Sequence, residues 1–357
     1  MTGWLSLLFP LMRSKYSSYH PMNGIGSNTF YPHLRMTQNK LRYPILILLL
    51  CGGSFLSGLS AQNKLDLHGK RVLVLGDSIT HKGTYVSFIS YFLQKRNPDL
   101  DYDIISIGLG SETAAGTSEA DHPFPRPCIH SRLDRALEQT KPDIVFACYG
   151  MNDGIYHPLG MDRFLAYQSG IESLVAKIQA SNAEVVLLTP PPFDADAKKS
   201  LAPPNATDFS YKAPFAQYND VLRTYGKWIM ISKLPVARKI DLNTPMLEYN
   251  RQRRKTDPQF HLANDGIHPS ELGHLLMAKT ILQACGFEIE GDVIEILEQA
   301  TADPLFVEID HRRQMRSKGW LEYVGYERGE VVKTDSIHQI EIEAAERQKS
   351  IDKLRRL

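Results

Sequence analysis

The 357-residue sequence has few cysteines and no arrangement of them that would hold a metal. Only four occur, at Cys51, Cys128, Cys148 and Cys285, and none belongs to a CxxC pair or a Cys/His cluster. A structural zinc site is therefore not expected. We interpret these residues mainly as small buried hydrophobes, and a disulfide between Cys128 and Cys285 stays open at this point. No P-loop or HExxH pattern occurs either, so we expect no metal and no organic cofactor.

Excess charge of either sign is also missing. Lys and Arg total 41 and Asp and Glu total 40, which gives a formal net charge of +1. This balance gives no reason to expect nucleic acid or an anionic surface as a partner. Hydrophobic residues make up 43% of the chain, which is ordinary for a globular protein with a sizeable core.

The chain also lacks a hydrophobic run long enough to favour a membrane-spanning helix. Lys40 and Arg42 precede a short apolar stretch at 43–51, and small residues come after it. This order is typical of a signal peptide, here at about residues 36–61. We expect a secreted or periplasmic protein with no stable membrane insertion after cleavage. An uncleaved anchor is the alternative.

From Lys70 onward, short apolar runs alternate with amphipathic stretches. The pattern predicts strands at 71–75, 103–107, 143–149, 184–189 and 235–242. It predicts helices at 84–96, 131–140, 164–179, 214–231 and 270–285. We therefore expect an α/β fold, a flavodoxin-like three-layer α/β/α sandwich with a mostly parallel five-stranded sheet. In such sheets the functional groups collect at the rim, meaning the loops that come after the carboxyl ends of the strands.

The sequence changes character beyond Gly286. A short helix is expected at 292–299, the stretch 310–318 is strongly basic, and 336–357 is a highly charged helix. Its apolar positions form one stripe, namely Ile337, Ile340, Ala344, Ile351 and Leu354. We interpret it as a solvated helix that packs along one face. A lid or an oligomer contact is the alternative.

These features divide the chain into three segments. Residues 1–61 are the N-terminal extension with the signal peptide, 62–286 the α/β domain and 287–357 a helical C-terminal extension. Residues 1–35 are unusual in front of a signal peptide, and Met36 would be a cleaner start. The sequence does not determine whether they are translated, nor the oligomeric state.

Three motifs with possible chemistry fall on the predicted rim. Ser78, in Gly-Asp-Ser after the first strand, would expose its hydroxyl on a tight turn, although it could also be a plain helix cap. Asp265 precedes His268 by three residues, so its carboxylate could orient an imidazole that takes the Ser78 proton; a solvated loop pair is the alternative. Asn152, in Gly-Met-Asn-Asp after the third strand, could donate its amide N–H to an oxyanion.

A glycine-rich turn at 108–113 supplies backbone N–H groups to the same rim. It lacks GxGxxG spacing because its last position is Thr113, which disfavours dinucleotide binding. Four other features are given no chemical role. His81 and His157 could line the pocket or lie at the surface, His274 is interpreted as structural, and 251–255 as a solvated face.

The order GDS, glycine-rich turn, GxND and DxxHP resembles the SGNH, or GDSL-type, hydrolase family over roughly residues 70–285. The longer strings around these motifs look like a bacterial secreted subgroup with a C-terminal extension. The resemblance implies a serine ester hydrolase in which Ser78 is the nucleophile and Asp265 and His268 complete the catalytic triad. It implies no metal.

The resemblance also implies an oxyanion hole built from the N–H groups of Ser78 and Ser111 with Asn152. One block departs from the family pattern, because the family usually has glycine where Ser111 stands. A backbone N–H does not require glycine if the local φ suits a side chain. Gly110 is the alternative donor if the turn is shifted by one residue.

The substrate is less well defined than the chemistry. A secreted enzyme of near-neutral charge is consistent with a carbohydrate O-acetylesterase whose partner is a small-molecule or glycan ester. A lipase or lysophospholipase is the enzymatic alternative and would need an apolar groove near Ser78. A carbohydrate-binding protein with a vestigial site is an alternative of a different class.

Overall fold

Five parallel strands form the centre of the fold, in a computed structural model that describes residues 64–333 and 336–357. The strands are β1 Arg71–Gly76, β2 Asp103–Ser106, β3 Ile144–Cys148, β4 Glu184–Leu188 and β5 Arg238–Ile240. β1 and β3 are almost wholly buried, as expected for strands covered on both faces. The signal peptide predicted at about residues 36–61 lies outside the described residues.

The strand order is β2-β1-β3-β4-β5, with every neighbouring pair parallel. This is the flavodoxin-like order, so the predicted fold class is confirmed. β1 and β3 lie side by side, and Gly76 at the end of β1 pairs with Cys148 at the end of β3. The Ser78 and Asn152 loops, which come after these two strands, therefore begin next to each other.

Seven helices of the α/β region connect and cover the strands. They are α1 Ser78–Lys82, α2 Thr84–Arg96, α3 Leu133–Thr140, α4 Met161–Ala180, α5 Tyr218–Ile231, α6 Asn243–Arg253 and α7 Glu271–Ala284. α2 packs against α7, and α3 against α4. Tyr167 of α4 and Tyr225 of α5 stack with ring centroids 4.3 Å apart, which joins those helices through their aromatic residues.

Several predicted boundaries are wrong. α5 begins at Tyr218 rather than at 214, and β5 covers only 238–240 of the predicted 235–242. A 3₁₀ turn at Ile129–Ser131 precedes α3. α6 was not predicted, and it ends inside the segment 251–255 that was expected to be a solvated face.

That expectation is wrong for Arg254 in particular. Its guanidinium forms ion pairs with Asp194 at 2.6 Å and with Asp196 at 2.9 Å. Burial raises the pKa of Asp194, but hydrogen bonds from Arg254 and His261 lower it by more. The pKa of Asp194 is therefore below its usual value. Arg254 thus fastens the end of α6 to the loop after β4.

The C-terminal extension contains three helices and a hairpin. They are α8 Val293–Ala302, α9 Pro304–Val324, β6 Tyr326–Arg328, β7 Glu330–Val332 and α10 His338–Leu354. The basic stretch 310–318 lies within α9, where two arginines are buried. Arg313 donates to Ser87 of α2, and Arg316 pairs with Asp103 of β2 at 2.6 Å. These cations therefore join the extension to the α/β domain.

α10 is confirmed as a charged helix packed along one face. It lies against α9, with Ala344 and Ile351 buried. The close approach depends on Gly319, because a Cβ there would lie 2.7 Å from the side chain of Ile340.

The three described cysteines, Cys128, Cys148 and Cys285, are free thiols, so the possible Cys128–Cys285 disulfide is not formed. Cys128 lies before α3, where its backbone forms an isolated β-bridge with that of Thr113. Cys285 is buried at the end of α7. Within 64–333 and 336–357, no helix is long and apolar enough to cross a bilayer.

Candidate active site

Ser78 is the first residue of α1 and lies two residues after Gly76, the last residue of β1. The helix cap is its neighbour Asp77, whose Oδ1 accepts the backbone N–H of Ile79 at 2.9 Å. The capping role considered for Ser78 is therefore filled by Asp77. Gly76 is needed at the turn, because a Cβ there would lie 2.2 Å from Oγ1 of Thr80.

Ser78, His268 and Asp265 form a continuous chain of hydrogen bonds. Nε2 of His268 lies 2.8 Å from Oγ of Ser78, and Nδ1 lies 2.6 Å from Oδ2 of Asp265. Because a carboxylate only accepts, Nδ1 carries the proton and Nε2 is left to accept the serine hydroxyl. Oδ1 of Asp265 also accepts the backbone N–H groups of Ile267 and His268, at 2.9 and 2.7 Å.

The surroundings of this chain shift two pKa values in opposite directions. Partial burial raises the pKa of Asp265, but hydrogen bonds from His268 and Ile267 outweigh it and hold the pKa well below its usual range. The hydrogen bond to Asp265 raises the pKa of His268, against the effect of burial. Asp265 is thus held ionised beside an imidazole that has become a stronger base, as a general base requires.

The loop at residues 108–112, which we name the oxyanion loop for its predicted role, is hydrogen-bonded to the end of β1 and to the loop after β3. The N–H of Leu109 donates to the carbonyl of Gly76 at 2.9 Å. Nδ2 of Asn152 donates to the carbonyl of Glu112 at 3.1 Å, and its Oδ1 accepts the hydroxyl of Tyr156 at 3.2 Å. The structure therefore brings the Ser78 turn, the oxyanion loop and Asn152 together.

Ser111 has a left-handed backbone, with φ of 71°. The N–H of Glu112 donates to the carbonyl of Leu109 at 3.1 Å, which closes a β-turn in which Ser111 is the third residue. Type II turns need positive φ there and usually have glycine. Ser111 thus adopts, at the cost of local strain, a conformation that glycine takes freely.

The backbone N–H groups of Ser78, Gly110 and Ser111 make no hydrogen bond to any residue that the structure describes. Unpaired N–H groups beside a nucleophile are suited to bind the negative oxygen of a tetrahedral intermediate. Both backbone donors named from the sequence, Ser78 and Ser111, are therefore available to a substrate, and so is the alternative donor Gly110.

A buried ion pair between Arg132 and Glu112 holds the last residue of the oxyanion loop in place. Arg132 donates to both carboxylate oxygens of Glu112 at 2.7 Å, and the hydroxyl of Tyr149 donates to one of them at 2.7 Å. Glu112 and Arg132 are both buried, so neither charge can be removed without leaving the other uncompensated. No local pattern in the sequence indicated this pair.

Asp153 connects the Asn152 loop to the segment after the oxyanion loop. Its Oδ1 accepts the N–H groups of Ala114 and Ala115, each at 2.7 Å. Burial raises the pKa of Asp153 to about 6 and that of Asp77 to about 7, although backbone hydrogen bonds lower both. Both buried carboxyls act on loop geometry, and no sequence pattern assigned either a role.

The other histidines singled out in the sequence, His81, His157 and His274, lie outside the Ser78–His268–Asp265 chain of hydrogen bonds. Nδ1 of His81 lies 2.9 Å from the carbonyl of Gly108, so this side chain supports the oxyanion loop. His157 lies 4.0 Å from Asp208. His274 is buried and stacks on Tyr85, and burial lowers its pKa to about 3, which is consistent with a structural role.

The sequence did not indicate that Lys198 lies near the Asp265–His268 turn, because this lysine falls in a polar, irregular stretch. Its side-chain carbons cover Gly266, where a Cβ would lie 2.8 Å from the lysine Cδ. Burial lowers the pKa of Lys198, and the nearby Asp265 opposes this shift.

Among the described residues, no group of three or more His, Cys, Asp and Glu is arranged to hold a metal ion.

A family model described as GDSL-like Lipase/Acylhydrolase matches residues 74–276, more than half of the chain. The chain belongs to the GDSL-like lipase/acylhydrolase family. The matched range includes Ser78, Ser111, Asn152, Asp265 and His268. As a member of this family the chain is a hydrolase of ester bonds.

This GDSL-like hydrolase is similar in sequence to an acetylxylan esterase of Geobacillus stearothermophilus. It is 22% identical over 241 residues, which cover 62% of this chain and 95% of the relative. A solved structure of an acetylxylan esterase from the same organism has 20% identity and a TM-score of 0.42, covering 63% of this chain and 98% of that one. A gut microbial diltiazem-metabolizing enzyme has 25% identity and a TM-score of 0.48. The match covers 63% of this chain and about half, 48%, of that one.

Proposed function

We propose that the protein is a carbohydrate O-acetylesterase that acts through an acyl-Ser78 intermediate. The observation that carries this proposal is the chain of hydrogen bonds from Asp265 through His268 to Ser78. A carbohydrate-binding function alone requires no such base beside a serine hydroxyl. We therefore prefer an active enzyme to a vestigial site.

In the proposed mechanism, Nε2 of His268 takes the hydroxyl proton as Oγ of Ser78 bonds to the acyl carbon. The N–H groups of Ser78 and Ser111 bind the resulting oxyanion, together with the amide N–H of Asn152 that Glu112 does not use. His268 then returns the proton to the alcohol as the carbon–oxygen bond breaks. Water attacks the acyl-serine by the same route, which releases the acid and restores Ser78.

The substrate class rests on the exposure of the site and on one relative. The side chains of His268 and Asp265 are 43% and 52% exposed, so the catalytic groups lie at an open surface that a chain of sugar residues can reach. The curated relative is an acetylxylan esterase. Together these favour acetyl groups on a carbohydrate over the lipase or lysophospholipase alternative.

We further propose secretion or export to the periplasm through the signal peptide at about residues 36–61. In this proposal residues 62–286 are the SGNH hydrolase domain and 287–357 the extension. Expression of the full chain in a bacterial host, with N-terminal sequencing of the exported form, tests the first part. A protein that stays inside the cell with its N-terminus intact would contradict it.

The function is tested with Ser78→Ala on acetylated xylo-oligosaccharides and on p-nitrophenyl acetate. We expect the release of acetate to fall by about 10⁴-fold or more, with an unchanged unfolding transition. Ser181→Ala is the matched control. Ser181 follows α4 and precedes β4, so it lies near the amino ends of the strands, whereas Ser78 follows a carboxyl end. Retained activity in Ser78→Ala would sink the assignment. A preference for p-nitrophenyl octanoate over acetate in the natural protein would favour the lipase alternative.

A further inference from the structure

The C-terminal hairpin reaches the oxyanion loop through Arg328. Nε of Arg328, the last residue of β6, donates to the carbonyl of Gly110 at 3.1 Å. Its guanidinium also lies over the ring of Phe124, 4.9 Å from the centroid. Gly110 is the residue before Ser111, so this arginine stands one residue away from a proposed oxyanion donor.

The hairpin is held in this position by the α/β domain. Arg135 of α3 donates from Nε to the carbonyl of Val324 at 3.0 Å and from Nη2 to that of Gly325 at 3.2 Å. These two carbonyls lie at the entry to β6. Arg328 therefore projects from a hairpin that is held at the start of β6, and its contacts with Gly110 and Phe124 orient the guanidinium plane.

The guanidinium of Arg328 has no anionic partner among the described residues. Two other arginines that contact the oxyanion loop are neutralised, since Arg126 pairs with Glu119 and Arg132 with Glu112. Arg328 forms no ion pair, its side chain is exposed, and both Nη atoms are unused. An oriented guanidinium with free Nη groups is suited to a planar carboxylate.

A second cation lies beside the other part of the site. Lys198, half-buried over Gly266, forms no ion pair with any described carboxylate, although the ionised Asp265 is near. Arg328 and Lys198 thus place positive charge next to the oxyanion loop and next to the Asp265–His268 turn.

We propose that Arg328 binds a carboxylate on the alcohol part of the ester, with Lys198 as a secondary contact, so that the preferred substrates are acetylated glycans containing uronic acid residues. This inference rests on the proposed esterase function and names its substrate class. The residue that recognises the substrate then comes from the C-terminal extension, which gives the extension a part in the site.

The test compares two forms of one acetylated uronic acid oligosaccharide, the free acid and its methyl ester. The readout is kcat/KM for acetate release by the full chain. We expect the natural protein to prefer the free acid by about 10-fold, from a charge-assisted bidentate contact. Arg328→Gln should bring this ratio close to 1, whereas Arg328→Lys should keep part of it. Added salt at about 0.5 M should weaken the preference.

Lys333→Gln is the matched control, since it removes a positive charge from the same hairpin segment without touching Gly110 or Phe124. It should leave the ratio unchanged. Equal kcat/KM for both forms in the natural protein would overturn the proposal, as would an Arg328→Gln variant that loses activity equally on both. Those outcomes leave the esterase function intact, because that function fails only if Ser78→Ala still releases acetate.

Discussion

Nε2 of His268 lies 2.8 Å from Oγ of Ser78, although 190 positions separate the two residues in the sequence. The contact exists because β1 ends beside the loop that precedes α7. In the proposed mechanism, this contact lets the imidazole take the hydroxyl proton of Ser78 as its oxygen attacks an ester. Substitutions at this contact and in the groups around it should therefore have distinct effects on activity and stability.

The pH dependence of kcat/KM should track the protonation of His268. Asp265 raises the pKa of His268, and only the neutral imidazole can accept the Ser78 proton. Activity should therefore be low below that raised pKa, increase as pH passes through it and level off above it. Asp265→Asn removes the charge that favours the imidazolium, so this rise should move to lower pH. The plateau should fall by about 10²- to 10⁴-fold. A rise at the same pH in both proteins would contradict the assignment.

The left-handed backbone of Ser111 predicts that glycine is tolerated at this position and that valine is not. Ser111→Gly should change the free energy of unfolding by no more than about 1 kcal/mol and keep activity, because glycine adopts this φ without strain. Ser111→Val should lower it by about 2 kcal/mol and reduce kcat, because β-branched residues avoid positive φ. Urea unfolding and steady-state kinetics measure both. Equal tolerance of valine and glycine would be inconsistent with the turn.

Replacement of Asn152 should reduce activity more than replacement of Tyr156, whose hydroxyl donates to it. Asn152→Ala removes the amide donor, so kcat should fall by about 10²- to 10³-fold while KM changes little. Tyr156→Phe removes only the hydroxyl that donates to Oδ1, and its loss should be about 10-fold or less. Kinetics on p-nitrophenyl acetate compare the two variants. A larger loss in Tyr156→Phe would assign the main role to the tyrosine.

Phe306 of α9 should contribute to the stability of the whole α/β domain. It is buried, and its ring stacks on Phe88 of α2 with centroids 4.6 Å apart. Phe306→Ala should lower the free energy of unfolding by about 3–5 kcal/mol. Its neighbour Val307 is 43% exposed, so Val307→Ala is the control and should change it by less than about 0.5 kcal/mol. Equal effects would indicate that the extension does not pack as described.

Much of this site could be predicted from short stretches of sequence. The GDS, GxND and DxxHP motifs each adjoin a recognisable element, and the rim of a parallel sheet brings such loops together. The buried pair of Glu112 and Arg132 could not be predicted, because neither residue differs locally from an exposed charged residue. The same holds for Arg254, which was expected to be solvated and instead pairs with Asp194.

By itself, the sequence determined the order of the strands and helices and placed the candidate residues Ser78, Asp265 and His268 on loops, because periodicity and turn residues record local burial and backbone geometry. Only the tertiary structure decided that Asp77 rather than Ser78 caps α1, that Ser111 has a positive φ, and that Arg328 reaches Gly110. These depend on contacts between segments up to 218 positions apart, and such contacts arise from how the whole chain packs.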